Sequence, residues 1–166
     1  MKKLWLVPIV VLAAVSVVGC IHAPPGTELP FHAHASGTMT SGTAGTFEGT
    51  AEGNWLGGGA IDGSFAADPI GLINCPSAVG TFDLSVTLAA ADGDEVHETA
   101  SGTFCIDGST PSYRGTASYT ITGGTGRFRA ATGSGTVTFV ANFGVTSFTF
   151  DQRGTICCFG DDHPED

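Results

Sequence analysis

The first residues that suggest chemistry are acids gathered at 92–98. Asp92, Asp94, Glu95 and Glu98 surround His97, and dense carboxylate oxygens can bind calcium or take part in acid–base catalysis. Their spacing fits no calcium-binding loop, and the Asp-Gly pair at 92–93 is typical of a hairpin turn. We therefore interpret these residues as the solvated acids of a turn.

Two sets of metal-ligating residue types also occur. His32 and His34 are two residues apart, so on a strand both would lie on one face, where two imidazoles can begin a transition-metal site. Cys157, Cys158 and His163 could form a zinc site, but the usual two-residue gap between the cysteines is missing. We interpret the histidines as exposed, and we predict neither a metal nor a cofactor.

Arginines are the third group. Arg114, Arg127 and Arg129 are three of the four arginines in the chain, gathered around one glycine-rich joint. Guanidinium groups bind anions through bidentate hydrogen bonds, so contact with a ligand is one interpretation. The other is that these arginines offset nearby carboxylates. Nothing further predicts catalysis, because Gly-x-Ser-x-Gly, His-Glu-x-x-His and paired-cysteine redox motifs do not occur in the sequence.

The first twenty residues predict export. Lys2 and Lys3 precede an apolar run from Leu4 to Val18, the order found in secretory signals. The run is about 15 residues long, shorter than the roughly 20 that a helix needs to span a bilayer. The segment that ends in Gly19-Cys20 resembles the lipobox of bacterial lipoproteins. That resemblance implies a signal peptide over 1–19, a lipidated Cys20 and a place in the bacterial cell envelope. Ordinary cleavage and secretion is the alternative.

Residues 20–36 are expected to follow this signal as a lipidated cysteine and an extended tether. Pro24, Pro25 and Pro30 prevent a helix from continuing through this stretch. Acyl chains on Cys20 would make the membrane a partner of the protein.

Charge excludes one large class of function. Lys2 and Lys3 are the only lysines, so the exported part has four arginines against 16 acids, a net charge of −12. Nucleic-acid binding needs a basic surface that neutralises phosphates. We therefore predict no nucleic-acid partner.

Four cysteines remain beyond Cys20. Disulfides are expected in an exported protein, and four cysteines allow three pairings. We predict Cys75–Cys105, which would close a loop of about 30 residues and stabilise the fold by about 3–4 kcal/mol in the chain-entropy model. Cys157 and Cys158 are adjacent, so they form either a vicinal bridge or a pair with a cysteine elsewhere.

Elsewhere the sequence alternates between apolar and polar residues. Val79–Ala90 is the clearest case, with Phe82, Leu84, Val86 and Leu88 at every second position, which is typical of a half-buried strand. No window shows a sustained helical period. The eight predicted strands are Phe31–Thr40, Thr43–Trp55, Ala60–Ala67, Val79–Ala90, Glu95–Ile106, Ser112–Thr122, Thr136–Ala141 and Val145–Ile156.

Eight short strands with glycine-rich joints predict an all-β protein. The segment Gly123-Gly124-Thr125-Gly126-Arg127-Phe128, followed by Arg129-Ala-Ala-Thr-Gly133, resembles the signature of the dirigent and allene oxide cyclase-like barrels. That resemblance implies an eight-stranded antiparallel β-barrel with a lumen, over residues 37–159. The acidic segment 160–166 is expected to be an unstructured tail.

The motif itself is interpreted as structural. Its glycines would let the chain turn back between strands, Phe128 would plug one end of the core, and Gly133 and Gly135 would begin the next strand. A phosphate-binding loop would need a helix after it, and a strand pattern follows instead.

Three functions remain open. We expect an exported, lipid-anchored barrel that serves as a binding or surface module, with a small apolar ligand as its partner. The alternatives are an enzyme of the cyclase or dirigent kind, which would shape an apolar substrate in its lumen, and a structural envelope protein. The resemblance also implies that the protein forms a homo-oligomer.

Overall fold

The computed structural model describes residues 27–69, 80–107, 109–110, 112–142 and 146–157. It confirms the predicted all-β class and the eight antiparallel strands that close into a barrel. The strands are β1 Leu29–Met39, β2 Ala44–Gly53, β3 Gly59–Pro69, β4 Gly80–Ala89, β5 Glu95–Asp107, β6 Ser112–Gly124, β7 Thr132–Asn142 and β8 Ser147–Cys157.

Each strand is hydrogen-bonded to the next strand along the chain, and β1 pairs with β8 to close the barrel. Ala33 lies opposite Gly53 of β2 on one side and opposite Gln152 of β8 on the other. The ladders are regular except for a shift at His97–Glu98 in the pairing of β5 with β6. A closed barrel leaves no strand edge unpaired.

Period-two alternation explains which side chains fill the interior. Every second residue of each strand points inward, and in β4 these are Gly80, Phe82, Leu84, Val86 and Leu88. The outward positions of the same strand are polar, from Thr81 to Thr87. The hydrophobic core is therefore the lumen of the barrel.

Glycines at inward positions make room for aromatic rings. A Cβ added to Gly115 would overlap the ring of Phe139, and one added to Gly135 would overlap the ring of Tyr119. A glycine-rich β-sequence is therefore compatible with a densely packed core, since large and small side chains interlock across neighbouring strands.

The two ends of the barrel differ. The capped end holds the connections at residues 54–58, 90–94 and 125–131, where Leu56, Ala90, Phe128 and Ala131 are all buried. The mouth end holds the connection at residues 40–43 and three others that include residues outside the description. The capped end is filled by side chains, whereas the mouth end contains a cavity.

The barrel begins earlier than predicted. β1 starts at Leu29, so residues 29–36, which we assigned to the tether, belong to the barrel domain. Phe31, Ala33 and Ala35 point inward and are buried. The free energy gained by burying these side chains keeps this segment in the barrel, although Pro30 suggested an extended linker. Residues 1–26 and 158–166, with the predicted signal peptide, Cys20 and the acidic tail, lie outside the description.

Within the described residues, no helix is both long enough and apolar enough to cross a membrane.

Candidate functional site

An apolar cavity of about 100 Å³ opens at the mouth end. Aromatic side chains from seven strands, β2 to β8, form most of its wall, and Met39 and Leu84 also line it. The phenylalanines and the tyrosine of this wall are Phe47, Phe65, Phe82, Phe104, Tyr113, Phe139, Phe148 and Phe150. Small residues such as Ala67 and Ala141 leave the space between the rings.

The rings hold one another in fixed positions. The Phe82 and Phe139 rings meet edge to face at 4.7 Å between centroids, and Phe47 meets Phe148 at 5.4 Å in the same way. Tyr113 meets Phe104 edge to face at 5.2 Å, and burial raises the pKa of Tyr113. Edge-to-face pairs of this kind add stability beyond the area that they bury, so the cavity is preformed.

A polar cluster lies deeper in the lumen. It consists of Glu98 on β5, Tyr119 on β6 and Gln152 on β8, each no more than 3% exposed. Nε2 of Gln152 donates a hydrogen bond of 2.7 Å to Oε2 of Glu98. The other polar atoms, Glu98 Oε1, Tyr119 Oη and Gln152 Oε1, have no hydrogen-bond partner among the described residues.

Burial controls the charge of this cluster. Desolvation raises the pKa of Glu98 from 4.5 to about 8, against a smaller lowering by the hydrogen bond from Gln152. Burial also raises the pKa of Tyr119, the charge of an ionised Glu98 raises it further, and the nearby Gln152 side chain lowers it by a smaller amount. At neutral pH the cluster therefore contains a neutral carboxylic acid and a neutral phenol.

We missed Glu98 in the sequence because we grouped it with the turn acids at 92–95. Its position on β5 was a usable signal, because Val96, Ala100 and Phe104 alternate inward and Glu98 has the same parity. Asp92 and Asp94 lie in the predicted turn, but both form ion pairs with Arg127 and are not simply solvated. Glu95 accepts a 3.0 Å hydrogen bond from His97.

The glycine-rich motif forms the capped end. Gly123 and Gly126 have φ values of +132° and +50°, which favour glycine, and Gly126–Phe128 forms one turn of 3₁₀ helix. Phe128 is fully buried, and β7 begins at Thr132. The predicted roles of the glycines and of Phe128 as a plug are confirmed.

Arg127 connects three turns of the capped end. Its guanidinium group forms ion pairs with Asp92 and with Asp94, the latter at 3.6 Å. The same group donates a 3.0 Å hydrogen bond to the backbone oxygen of Trp55 and lies 4.6 Å from the centre of the Phe128 ring. These contacts favour the second of our interpretations, in which the arginine offsets nearby carboxylates.

The arginines do not form one cluster. Arg114 lies near the mouth end, where it pairs with Asp107 at 3.2 Å, while Arg127 and Arg129 lie at the capped end. Hydrogen bonds from Ser109 hold the pKa of Asp107 at about 2. We expected the three arginines to gather around one glycine-rich joint, and this was wrong because the length of β6, about 30 Å, separates Arg114 from the motif.

His32 and His34 lie on the outer face of β1, as predicted. His34 forms a 2.8 Å contact with Asp151 of β8. No group of three or more metal-ligating side chains occurs within the described parts of the chain. Cys158 and His163 of the alternative zinc site lie outside them.

Cys105 takes part in a disulfide. Cys75 lies outside the described residues, so the pairing of Cys75 with Cys105 stays a prediction. The lipidation of Cys20 stays a prediction for the same reason.

Comparisons with protein-family models, with curated proteins and with solved structures found no match for this chain.

Proposed function

We propose that this protein is an exported, lipid-anchored β-barrel that binds a small apolar ligand in its mouth cavity. The observation that carries the proposal is the preformed cavity of about 100 Å³ with aromatic walls. Ligand sites are typically concave and apolar, with a few polar groups. In an eight-stranded barrel the lumen is either filled by side chains or holds one small ligand.

The cavity limits the size of the ligand. A cavity of about 150 Å³ lined by apolar side chains binds benzene in another protein, so the space here suits one ring or a short branched alkyl group. Because the wall of the cavity is apolar, burial of the apolar surface of the ligand would provide most of the affinity.

Two adjacent alanines of β3 allow a matched test. Ala67 lines the cavity, whereas Ala66 faces outward and is exposed. Ala67→Phe should fill the cavity and Ala66→Phe should not. The probe is benzene, a single ring, and its binding to the purified protein is measured by NMR chemical-shift changes of the mouth residues.

We expect the wild-type protein and Ala66→Phe to bind benzene with similar affinity. Ala67→Phe should bind it at least tenfold more weakly, which corresponds to a loss of about 1.4 kcal/mol in binding free energy. Absence of binding to the wild type would reject the ligand-binding function and leave the structural envelope role. Equal binding by both variants would place the ligand outside the mouth.

The anchor requires its own experiment. The sequence at 17–20 supports lipidation of Cys20, which would hold the protein at a membrane surface in the cell envelope. Cys20→Ser should release the protein from the membrane fraction of cells that express it. Unchanged membrane association would refute the anchor.

A second function is favoured by Glu98. A neutral acid in an apolar lumen can donate a proton to a bound substrate, which fits the cyclase or dirigent kind of enzyme that the motif resembles. Incubation of the protein with the apolar molecule that co-purifies with it, followed by mass spectrometry, tests this function. Recovery of the molecule unchanged would count against catalysis.

A further inference from the structure

The first strand begins, and the last strand ends, at the capped end of the barrel. The start of β1 is held by the turn at 54–58, where Nδ2 of Asn54 and Nε1 of Trp55 both donate to the backbone oxygen of Pro30, at 2.6 and 2.7 Å. The segment that leads from Cys20 to the barrel therefore joins it at the capped end, opposite to the mouth cavity.

The sequence between the proposed lipid anchor and the barrel is short. Leu29 follows Cys20 by nine positions, and nine residues span at most about 30 Å when fully extended. A flexible chain of that length has a root-mean-square span of about 15–18 Å. With Cys20 acylated, the capped end therefore stays close to the membrane surface.

The mouth lies at a greater distance than this segment ordinarily spans. β1 rises about 33 Å from Leu29 to Met39, which lines the cavity. Since barrel strands are tilted by about 35–45°, this rise corresponds to about 25 Å along the barrel axis. To place the mouth on the membrane, the segment would have to run back along the outer wall for that distance, close to its full extension. Such a chain loses most of its conformational freedom, which is unfavourable.

We infer that the mouth of the anchored protein opens away from the membrane and takes its ligand from the aqueous phase. The inference rests on the proposed anchor and binding function, and it adds the source of the ligand. The ligand is then a small apolar compound dissolved in water, which the cavity volume of about 100 Å³ also favours. A lipid drawn from the membrane beneath the barrel would meet the capped end, which side chains fill.

Two tryptophan variants locate the ends of the barrel relative to the membrane. Trp5 and Trp55 are the only tryptophans of the chain, and Trp5 would be removed with the signal peptide, so Trp55→Phe supplies a background without tryptophan. In that background, Thr81→Trp places a tryptophan at the mouth end of β4, and Thr132→Trp places one at the capped end of β7. Both threonines are exposed and lie outside the cavity wall, so the two variants are matched.

The acylated variants are purified from the membrane fraction and placed in phosphatidylcholine vesicles that carry a small fraction of dansyl-labelled phosphatidylethanolamine. Energy transfer from tryptophan to the dansyl group falls steeply with distance. We expect transfer to be about twofold or more stronger for Thr132→Trp than for Thr81→Trp, since about 25 Å separates the two ends of the barrel. The urea unfolding midpoint of each variant shows whether it is folded.

Equal transfer from the two variants would overturn the inference, because the barrel would then lie on its side. Stronger transfer from Thr81→Trp would also overturn it, since the mouth would then face the membrane. Absence of transfer from both variants would mean that the proposed anchor itself fails, and the inference fails with it. The benzene experiment tests the cavity separately, because it uses the protein in solution without vesicles.

Discussion

Glu98 is the residue whose environment differs most from what its neighbours suggest. The acids at 92 and 94 pair with Arg127 at the surface, whereas Glu98, four residues further on, lies inside the barrel. Parity decides the difference, since even-numbered positions of β5 point inward. The carboxyl group keeps its proton there because desolvation penalises the charged form more than the single hydrogen bond stabilises it.

The stability of the protein should therefore depend on pH through Glu98. Its pKa is about 8 in the folded protein, whereas the ordinary pKa of a glutamate, which applies to the unfolded chain, is 4.5. Between these values the folded state holds a proton that the unfolded chain has released. The free energy of unfolding then falls as pH rises, by at most about 1.4 kcal/mol per pH unit from this group. The contribution is complete below pH 4.5 and lost above pH 8.

Glu98→Gln isolates that effect, because the amide stays neutral at every pH. In urea unfolding between about pH 5 and pH 8, we expect a smaller loss of stability for Glu98→Gln than for the wild type. Glu48→Gln, which removes an exposed carboxylate of β2, should retain the wild-type slope. Parallel pH profiles of Glu98→Gln and the wild type would contradict the prediction.

The inward orientation of Glu98 could be predicted from the sequence, but its hydrogen-bond partner could not. Inward orientation follows from alternation on β5 and was available from the sequence. The hydrogen bond from Gln152 joins residues 54 positions apart, and it depends on how the eight strands close. Alternation predicts which side of a strand a residue faces, but register and barrel closure decide which residues meet across the lumen.

Among the elements, the connections at the capped end are the most strongly constrained. The turn at 54–58 meets the turn at 90–94 through a 3.0 Å hydrogen bond from the Ala91 amide to the Leu56 oxygen. The 3₁₀ turn contacts the turn at 90–94 through a 3.1 Å hydrogen bond, which the Arg127 amide donates to the Asp94 carboxylate. Arg127 then reaches both turns with its side chain, so the motif holds the end of the barrel together.

Replacing Arg127 should therefore loosen the capped end. Arg127→Ala removes both ion pairs and the bond to the Trp55 oxygen, and it leaves Asp92 and Asp94 without their shared cation. We expect a loss of about 1–3 kcal/mol in the free energy of unfolding, measured in urea. The guanidinium group is partly exposed, so the effect should lie below that of a fully buried ion pair.

Arg153→Ala is the control for that prediction. Arg153 is also an arginine of the chain, but it is exposed on the outer face of β8. Its replacement should change the free energy of unfolding by about 0.5 kcal/mol or less. If both variants lose the same stability, the contacts of Arg127 do not hold the turns together.

Much of this element-scale picture was available from the sequence, because alternation and turn residues are local signals. Phe128 as a plug and the glycine turns were predicted, and all eight predicted strands occur. The first strand was predicted to begin at Phe31, two residues from the observed start of β1 at Leu29, but the boundary of the barrel domain was placed at residue 37 because the prolines before it suggested a tether. Proline is tolerated at that point because it occupies the second position of the strand, near its end.

At the scale of the whole molecule, the outer wall of the barrel is unusually acidic. The chain has 16 acids against six lysines and arginines, and several acids face outward on neighbouring strands. Glu48 of β2 lies directly opposite Asp62 of β3, and both are exposed. Like charges at directly opposed positions destabilise a sheet, so this wall stores electrostatic repulsion.

Salt should therefore stabilise the folded protein. Raising the NaCl concentration from about 0.01 M to 0.3 M shortens the Debye length from about 30 Å to below 10 Å, which screens repulsion between exposed acids. We expect the midpoint of urea unfolding to rise, by the equivalent of about 1 kcal/mol. Ion pairs such as Arg114–Asp107 are weakened by the same screening, but they are fewer than the acids of the wall.

Asp62→Lys tests where the repulsion lies. The substitution turns the opposed pair with Glu48 into an attraction, so the variant should be more stable than the wild type by about 0.5–1 kcal/mol at low salt. It should also gain less from added NaCl. Asp83→Lys is the control, because the cross-strand neighbours of Asp83 are Ala66 and Ser101, so it makes the same charge change without a directly opposed carboxylate. A larger gain for Asp62→Lys than for Asp83→Lys would locate repulsion in the Glu48–Asp62 pair, whereas equal gains would show that net charge alone governs stability.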